Sequence, residues 1–271
     1  MPELPEVETT RRGIEPHLLS RRVERVVVRD ARLRWPVPED LPERVAGACI
    51  DAVERRGKYL LLRSERGAMI VHLGMSGSLR VLPAETPPAK HDHIDWVLDD
   101  GRCLRLRDPR RFGCVLWGGD DPFAHPLLAS LGPEPHSASF DGDYLFELSR
   151  GRKVNVKAFI MNSHVVVGVG NIYANESLFR AGIHPGRAAG RISRERYRTL
   201  ATAICGILAD AIAQGGTTLR DFTHSDGKPG YFSQQLQVYG RAGQPCLTCS
   251  AALRQLPGEA RATVYCAHCQ H

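Results

Sequence analysis

The sequence predicts a multi-domain α+β protein: an N-terminal β-sandwich with an opening helix, a helical domain, and a small C-terminal module closed by four cysteines. Three observations predict it. Short β-prone runs crowd the first half of the chain, helical periodicity takes over in the second half, and two Cys-x-x-Cys pairs follow. The 271 residues suffice for two or three compact units with their own cores.

Val7, Ile14 and Leu18 share one side of a helix expected over about residues 5 to 19, with Pro5 in its first turn, where its missing N–H costs nothing. Strand-like runs follow at Val23–Arg29, Cys49–Arg55, Lys58–Arg63, Met69–Leu73, Ile94–Leu98, Arg102–Arg107 and Cys114–Trp117. Turn residues such as Ser64-Glu65-Arg66-Gly67 and Asp99-Asp100-Gly101 separate several of them. That spacing of short strands points to a sandwich or a barrel. Leu131-Gly132-Pro133-Glu134-Pro135 reads as a linker. Beyond it, Tyr197, Leu200, Ile204, Leu208, Ala211 and Ile212 keep helical spacing, with Ser193 as N-cap and Gly215-Gly216 as the stop. Another helix is expected to open at Asn171, after Val165-Val166-Val167-Gly168-Val169-Gly170. The expected domains are residues 1–131, 132–236 and 237–271.

Net charge is +6, a modest excess that suits a polyanion without requiring one. No apolar run approaches the roughly 18 residues of a membrane span. The start, Met1-Pro2-Glu3-Leu4-Pro5-Glu6-Val7-Glu8, lacks the basic and apolar stretches of a secretory signal, so a cytosolic chain is expected. The cysteine spacing says more. Cys246-x-x-Cys249 and Cys266-x-x-Cys269 stand sixteen residues apart, each turn presenting two thiolates to one ion. Disulfides fit poorly with a cytosolic chain. Zinc is the expected metal, rubredoxin-type iron the alternative. With four thiolates the site has no open position, so the ion is structural, contributing on the order of 10 kcal/mol to folding of the module. Cys49, Cys103, Cys114 and Cys205 lie in apolar stretches and are expected to pack as small hydrophobes.

The start Pro2-Glu3-Leu4-Pro5-Glu6, the turn Gly168-Val169-Gly170-Asn171 and the terminal finger together resemble the formamidopyrimidine-DNA glycosylases, and the resemblance spans the whole chain. It includes His72-Leu73-Gly74-Met75-Ser76-Gly77, Asp108-Pro109-Arg110-Arg111-Phe112-Gly113, Gly216-Thr217-Thr218-Leu219-Arg220-Asp221-Phe222 and Gln237-Val238-Tyr239-Gly240-Arg241. The related endonuclease VIII branch is expected to carry glycine where this chain has Leu4. The resemblance implies a helix-two-turn-helix in the helical domain and a C-terminal zinc finger holding one Zn2+. It implies a monomer in the bacterial cytoplasm, associated with the nucleoid, acting on duplex DNA that contains oxidised purines or abasic sites. The implied activity is base excision followed by strand cleavage through β,δ-elimination. A non-catalytic DNA-binding protein would explain charge and metal but not the Pro2-Glu3 start.

Chemistry supports Pro2 as the nucleophile. With Met1 removed, its amine has a reference pKa of about 8 against about 10.4 for lysine, so much more of it is unprotonated at neutral pH. A secondary amine attacking the sugar C1′ gives an iminium that cannot lose an N–H proton, and this fixed charge drives elimination of the flanking phosphates. The resemblance makes Glu3 the acid that protonates the deoxyribose ring oxygen, although the helix N-terminus favours the carboxylate. Glu6 is expected to support or orient, and Lys58 to contact phosphate from a β-hairpin and assist catalysis. Arg261 is expected to grip phosphate beside the reacting nucleotide, Lys157 and His72 to face DNA, and Asn171 to open a helix whose N–H groups meet phosphate. His91 and His93 are structural or DNA-facing. A flipped nucleotide leaves a gap, which Met75 and Phe112 would wedge while Arg110 addresses the orphaned cytosine. Thr217–Asp226 resembles the loop over the flipped base, with Arg220 near the lesion.

Overall fold

The computed structural model describes residues 2–216 and 235–271. The chain forms two compact units. One holds the chain through Ser130 and takes it up again at Gln214; the other holds Leu131–Ala213 and the segment that runs to His271. The finger and the helical segment therefore share one unit. No helix among the described residues is long and apolar enough to cross a membrane.

The first unit opens with α1 (Leu4–Leu18), whose Leu4, Val7, Ile14 and Leu18 are buried as the apolar spacing requires. Two antiparallel four-stranded sheets follow. One has the order β1 (Val23–Val28), β6 (Asp92–Leu98), β7 (Arg102–Arg107), β5 (Ser78–Pro83). The other runs β2 (Ile50–Arg56), β3 (Tyr59–Ser64), β4 (Gly67–His72), β8 (Cys114–Gly119). Inward residues of both sheets, among them Trp96, Leu104, Leu60 and Val71, form one apolar core with Val7, Ile14 and Leu18. Trp96 satisfies its indole N–H on Met69 Sδ at 3.2 Å, joining the layers. The two-layer arrangement is the sandwich expected from the strand spacing.

Strand β5 and helix α2 are among the elements of this unit that escape the sequence pattern. Strand β5 alternates Leu79 and Val81 with Ser78 and Arg80 over only six residues ended by Pro83. Helix α2 (Leu41–Val45) is barely one turn long.

In the second unit, the short α3 (Pro126–Ala129) having closed the first, come α4 (Gly142–Ser149), α5 (Val156–Met161), α6 (Asn171–Arg180) and α7 (Arg194–Ala213). Asp141 and Asn155 cap α4 and α5, accepting from Tyr144 N at 2.7 Å and Ala158 N at 2.7 Å. Tyr197, Leu200, Ile204, Leu208 and Ala211 form the buried face of α7. The finger pairs β9 (Arg254–Gln255) with β10 (Val264–Tyr265) over a small core of Val238, Leu253 and Val264, against which Phe179 of α6 packs.

Candidate active site and metal centre

Pro2, Glu3 and Glu6 lie buried at the start of α1. Glu3 is the N-cap, with an extended backbone, and its N–H donates to Glu6 Oε2 at 2.8 Å. Gly216 has φ +78°, a conformation that favours glycine, and a Cβ there would lie 2.9 Å from Glu6 Oε1, so the chain runs close to the carboxylate. Glu6 thus holds its neighbour's backbone from one side and meets the Gly216 turn on the other.

Lys58 sits at the tip of the β2–β3 hairpin, closed by the pair Arg56↔Tyr59. The preceding Gly57 has φ +58°, the left-handed position that a tight two-residue turn needs. Arg55 reaches back, donating to Glu8 Oε2 of α1 at 3.1 Å and to the Gly57 carbonyl at 3.0 Å. Burial pushes the Glu8 carboxyl up, but Arg11, Arg12 and Arg55 outweigh it and hold the group below its ordinary range. This Glu8–Arg55 strut, which ties the lysine hairpin to the helix of Pro2, carries no sequence signal.

His72 faces Tyr59 across the ladder, ring centroids 4.8 Å apart, and its Nδ1 accepts from Gly74 N at 3.0 Å. The remaining proton is therefore on Nε2, a donor. Burial first, then the charges of Lys58 and Arg34, lowers its pKa to about 4 from 6.5. A depressed folded-state value means that the unfolded chain binds the proton first. The stabilisation from neutral His72 should be complete above about 6.5 and fade as pH falls towards 4, whereas His72→Gln should flatten that part of the pH–stability curve. Imidazole NMR titration giving an ordinary value near 6.5 would sink this expectation.

Met75 and Phe112 are 36% and 44% exposed, and the Arg110 guanidinium lies 4.8 Å from the Phe112 ring centroid. These three occupy the two loops that cross between the sheets, 73–77 and 108–113. His93 is different. It is 3% exposed, with Nε2 2.8 Å from the Asp108 carbonyl, so it packs beneath the 108–113 loop.

In the second unit Asn171 begins α6 directly after the N-cap Gly170. Arg261 is exposed on the turn before β10. Lys157 is only 3% exposed: its Nζ donates to the Ala262 carbonyl at 3.0 Å and to Thr263 Oγ1 at 2.7 Å. These acceptors place Lys157 under the turn of Arg261, since an ammonium group this deep must be held by acceptors. Asn175 reinforces it, accepting from Val264 N at 2.8 Å. Glu176 accepts from three backbone N–H groups, Gln237 at 2.9 Å, Val238 at 3.0 Å and Tyr239 at 2.8 Å. Asn175 and Glu176 have no motif that would announce them. Arg220 lies outside the described residues.

The Sγ atoms of Cys246, Cys249, Cys266 and Cys269 all lie within 4.8 Å of one another, positioned to bind one metal ion. Separations of 3.9 Å for Cys246–Cys269 and 3.4 Å for Cys249–Cys266 bracket the edge of roughly 3.8 Å expected for a tetrahedron with metal–sulfur bonds of about 2.3 Å. Elsewhere Cys103 and Cys114 are buried, and burial pushes the Cys114 thiol up to about 12, which makes it inert.

Known proteins share this organisation. Residues 1–115 match the family model of the formamidopyrimidine-DNA glycosylase N-terminal domain, and residues 131–223 that of the formamidopyrimidine-DNA glycosylase H2TH domain. Fold and site thus define a DNA glycosylase of the H2TH class. The formamidopyrimidine-DNA glycosylase of Stutzerimonas stutzeri (strain A1501) is 64% identical over 270 residues, covering 100% of both chains. The crystal structure of the MutM (Fpg) protein from Thermus thermophilus superposes with a TM-score of 0.89 at 39% identity, covering 99% of this chain and 98% of that one. Lactococcus lactis Fpg in complex with DNA containing an abasic site gives 0.92 at 32% identity, covering 99% of each chain. The chain belongs to the formamidopyrimidine-DNA glycosylase family.

Proposed function

We propose that this enzyme removes oxidised purines from duplex DNA and cleaves the strand, with Pro2 as nucleophile and Glu3 as proton donor. The observation that carries the assignment of roles is the pairing of a buried Pro2 with a buried Glu3 whose backbone is held by Glu6. Once Met1 is removed, the Pro2 nitrogen bonds to C1′ as the bond from C1′ to the base breaks, and the proton shed by the Pro2 amine passes to the departing base. A proton from Glu3 to the ring oxygen opens the sugar and leaves an iminium. Loss of a C2′ proton then expels the 3′ phosphate, and a second elimination expels the 5′ phosphate.

Lys58 and the Nε2–H of neutral His72 are suited to phosphate, one by charge and one as a donor. Asn171, at the start of α6, and Arg261 offer the same chemistry in the second unit. Met75 and Phe112 fill the gap left by the everted nucleotide, and Arg110 addresses the unpaired cytosine. Zinc is the metal that four thiolates at these separations suit. It supplies no reaction chemistry there and fixes the segment that carries Arg261. The bacterial cytoplasm is the compartment in keeping with these relatives.

Borohydride trapping on a duplex with one 8-oxoguanine opposite cytosine, followed by mass mapping, tests the reading. The expected result is a covalent adduct on Pro2. An adduct on Lys58 would move the nucleophile. No adduct from protein that lacks Met1 and holds its metal would remove the activity.

A further inference from the structure

Strands β4 and β8 belong to one sheet, β5 and β7 to the other. The pair His72↔Cys114 ends one ladder and the pair Ser78↔Arg107 ends the next. The two connections, 73–77 and 108–113, therefore cross between the sheets side by side. Their backbones touch: a Cβ on Gly74 would fall 2.4 Å from Phe112 C and Gly113 N, and one on Gly113 would fall 2.6 Å from the His72 carbonyl oxygen.

One polar cluster joins them. Asp108 is wholly buried and Ser76 is 2% exposed. Asp108 Oδ1 accepts from Ser76 Oγ at 2.8 Å, and Oδ2 accepts from Gly113 N at 2.8 Å. Ser76 Oγ accepts in turn from Arg110 N at 3.2 Å. The carbonyl of Asp108 is held by His93 Nε2 at 2.8 Å, and its own N–H donates to the His91 carbonyl at 3.0 Å. Two of these bonds fix the backbone at or beside an exposed side chain, Arg110 being bonded directly and Gly113 following Phe112, while Ser76, which carries the link to Asp108, follows Met75. Just beyond Arg110, Arg111 adopts φ +55° and pairs with Asp30 at 2.8 Å.

From this geometry we infer that Ser76 and Asp108 are positioning residues, a clasp that makes Met75, Arg110 and Phe112 one preformed wedge. The inference rests on the proposed reading of those three as the groups that replace the everted nucleotide. The clasp touches no reacting atom. It matters where a stacked base has to be driven out of the helix, because the wedge must reach the gap in a set geometry, and misplacement of even about 1 Å is costly. A preformed abasic site has no base to evict and leans on the wedge less.

The test compares Ser76→Ala and Asp108→Asn with the wild type in single-turnover assays on two duplexes, one carrying 8-oxoguanine and the other a preformed abasic site. Excision should fall about tenfold or more in both variants, while cleavage of the abasic duplex falls no more than about threefold. Preference for cytosine over adenine opposite the lesion should also narrow, because Arg110 loses its backbone anchor. Hydrogen exchange without DNA gives a second reading: the Arg110 and Gly113 amides should lose protection while those of β3 and β7 keep theirs. Equal losses on both duplexes, or variants that excise at the wild-type rate with protection intact, overturn the clasp. A wild-type chain that cleaves abasic DNA but excises no 8-oxoguanine overturns instead the reading on which it stands.

Discussion

Glu3→Gln is expected to slow base excision by about 10²–10⁴-fold, the usual contribution of a positioned proton donor. Glutamine keeps the volume of a side chain that is only 2% exposed. The backbone bond from residue 3 to Glu6 is also retained, because its donor is the main-chain N–H. The helix start should therefore survive, and thermal unfolding of the variant should match the wild type within a few degrees. What is lost is the transferable proton. Single-turnover excision on a duplex with 8-oxoguanine opposite cytosine reads the effect, and a rate within a factor of three of wild type would remove Glu3 from the proposed role.

The second large effect is expected from Cys249→Ser. One thiolate of four is lost, and a structural zinc at the proposed site would contribute on the order of 10 kcal/mol to a module with few apolar residues of its own. The variant should bind less than one equivalent of zinc by elemental analysis. Its affinity for duplex DNA should fall about ten- to hundredfold as the anchored charge of Arg261 is lost. Chelation of the wild-type ion should reproduce both changes, and re-addition of zinc should reverse them. Full affinity in metal-free protein would show that the finger does not contribute to DNA binding.

The parts of the molecule legible in the sequence are those whose signal is local. Helices α1 and α7 announce themselves through apolar spacing and punctuation by proline and glycine, and the thiolate cluster through the spacing of its pairs. Strand β5 is missed because six alternating residues are too few to stand out beside the glycine-rich motif that precedes them. The short capped helices α4 and α5 are missed because eight and six residues hold barely a turn or two of periodicity. Burial of charge is a longer-range matter. Lys157 looks like a surface cation until Thr263, 106 residues away, is seen to receive it. His93 gives no hint that its partner is the carbonyl of Asp108, fifteen residues on. Ser76 and Asp108 both stand inside recognisable motifs, yet nothing local shows that they bond to each other across 32 residues.

The anchors beneath the finger also set an order of events in its making. A chain synthesised from its N-terminus offers Lys157, Asn175 and Glu176 well before Cys266 and Cys269 emerge. Glu176 needs no ion to gather the amides of Gln237, Val238 and Tyr239, so one edge of the finger can moor to α6 while only the first thiolate pair exists. The second pair then arrives at a berth already shaped by two helices. Ion capture needs all four thiolates, so it can fasten a segment that these contacts already hold against the helices.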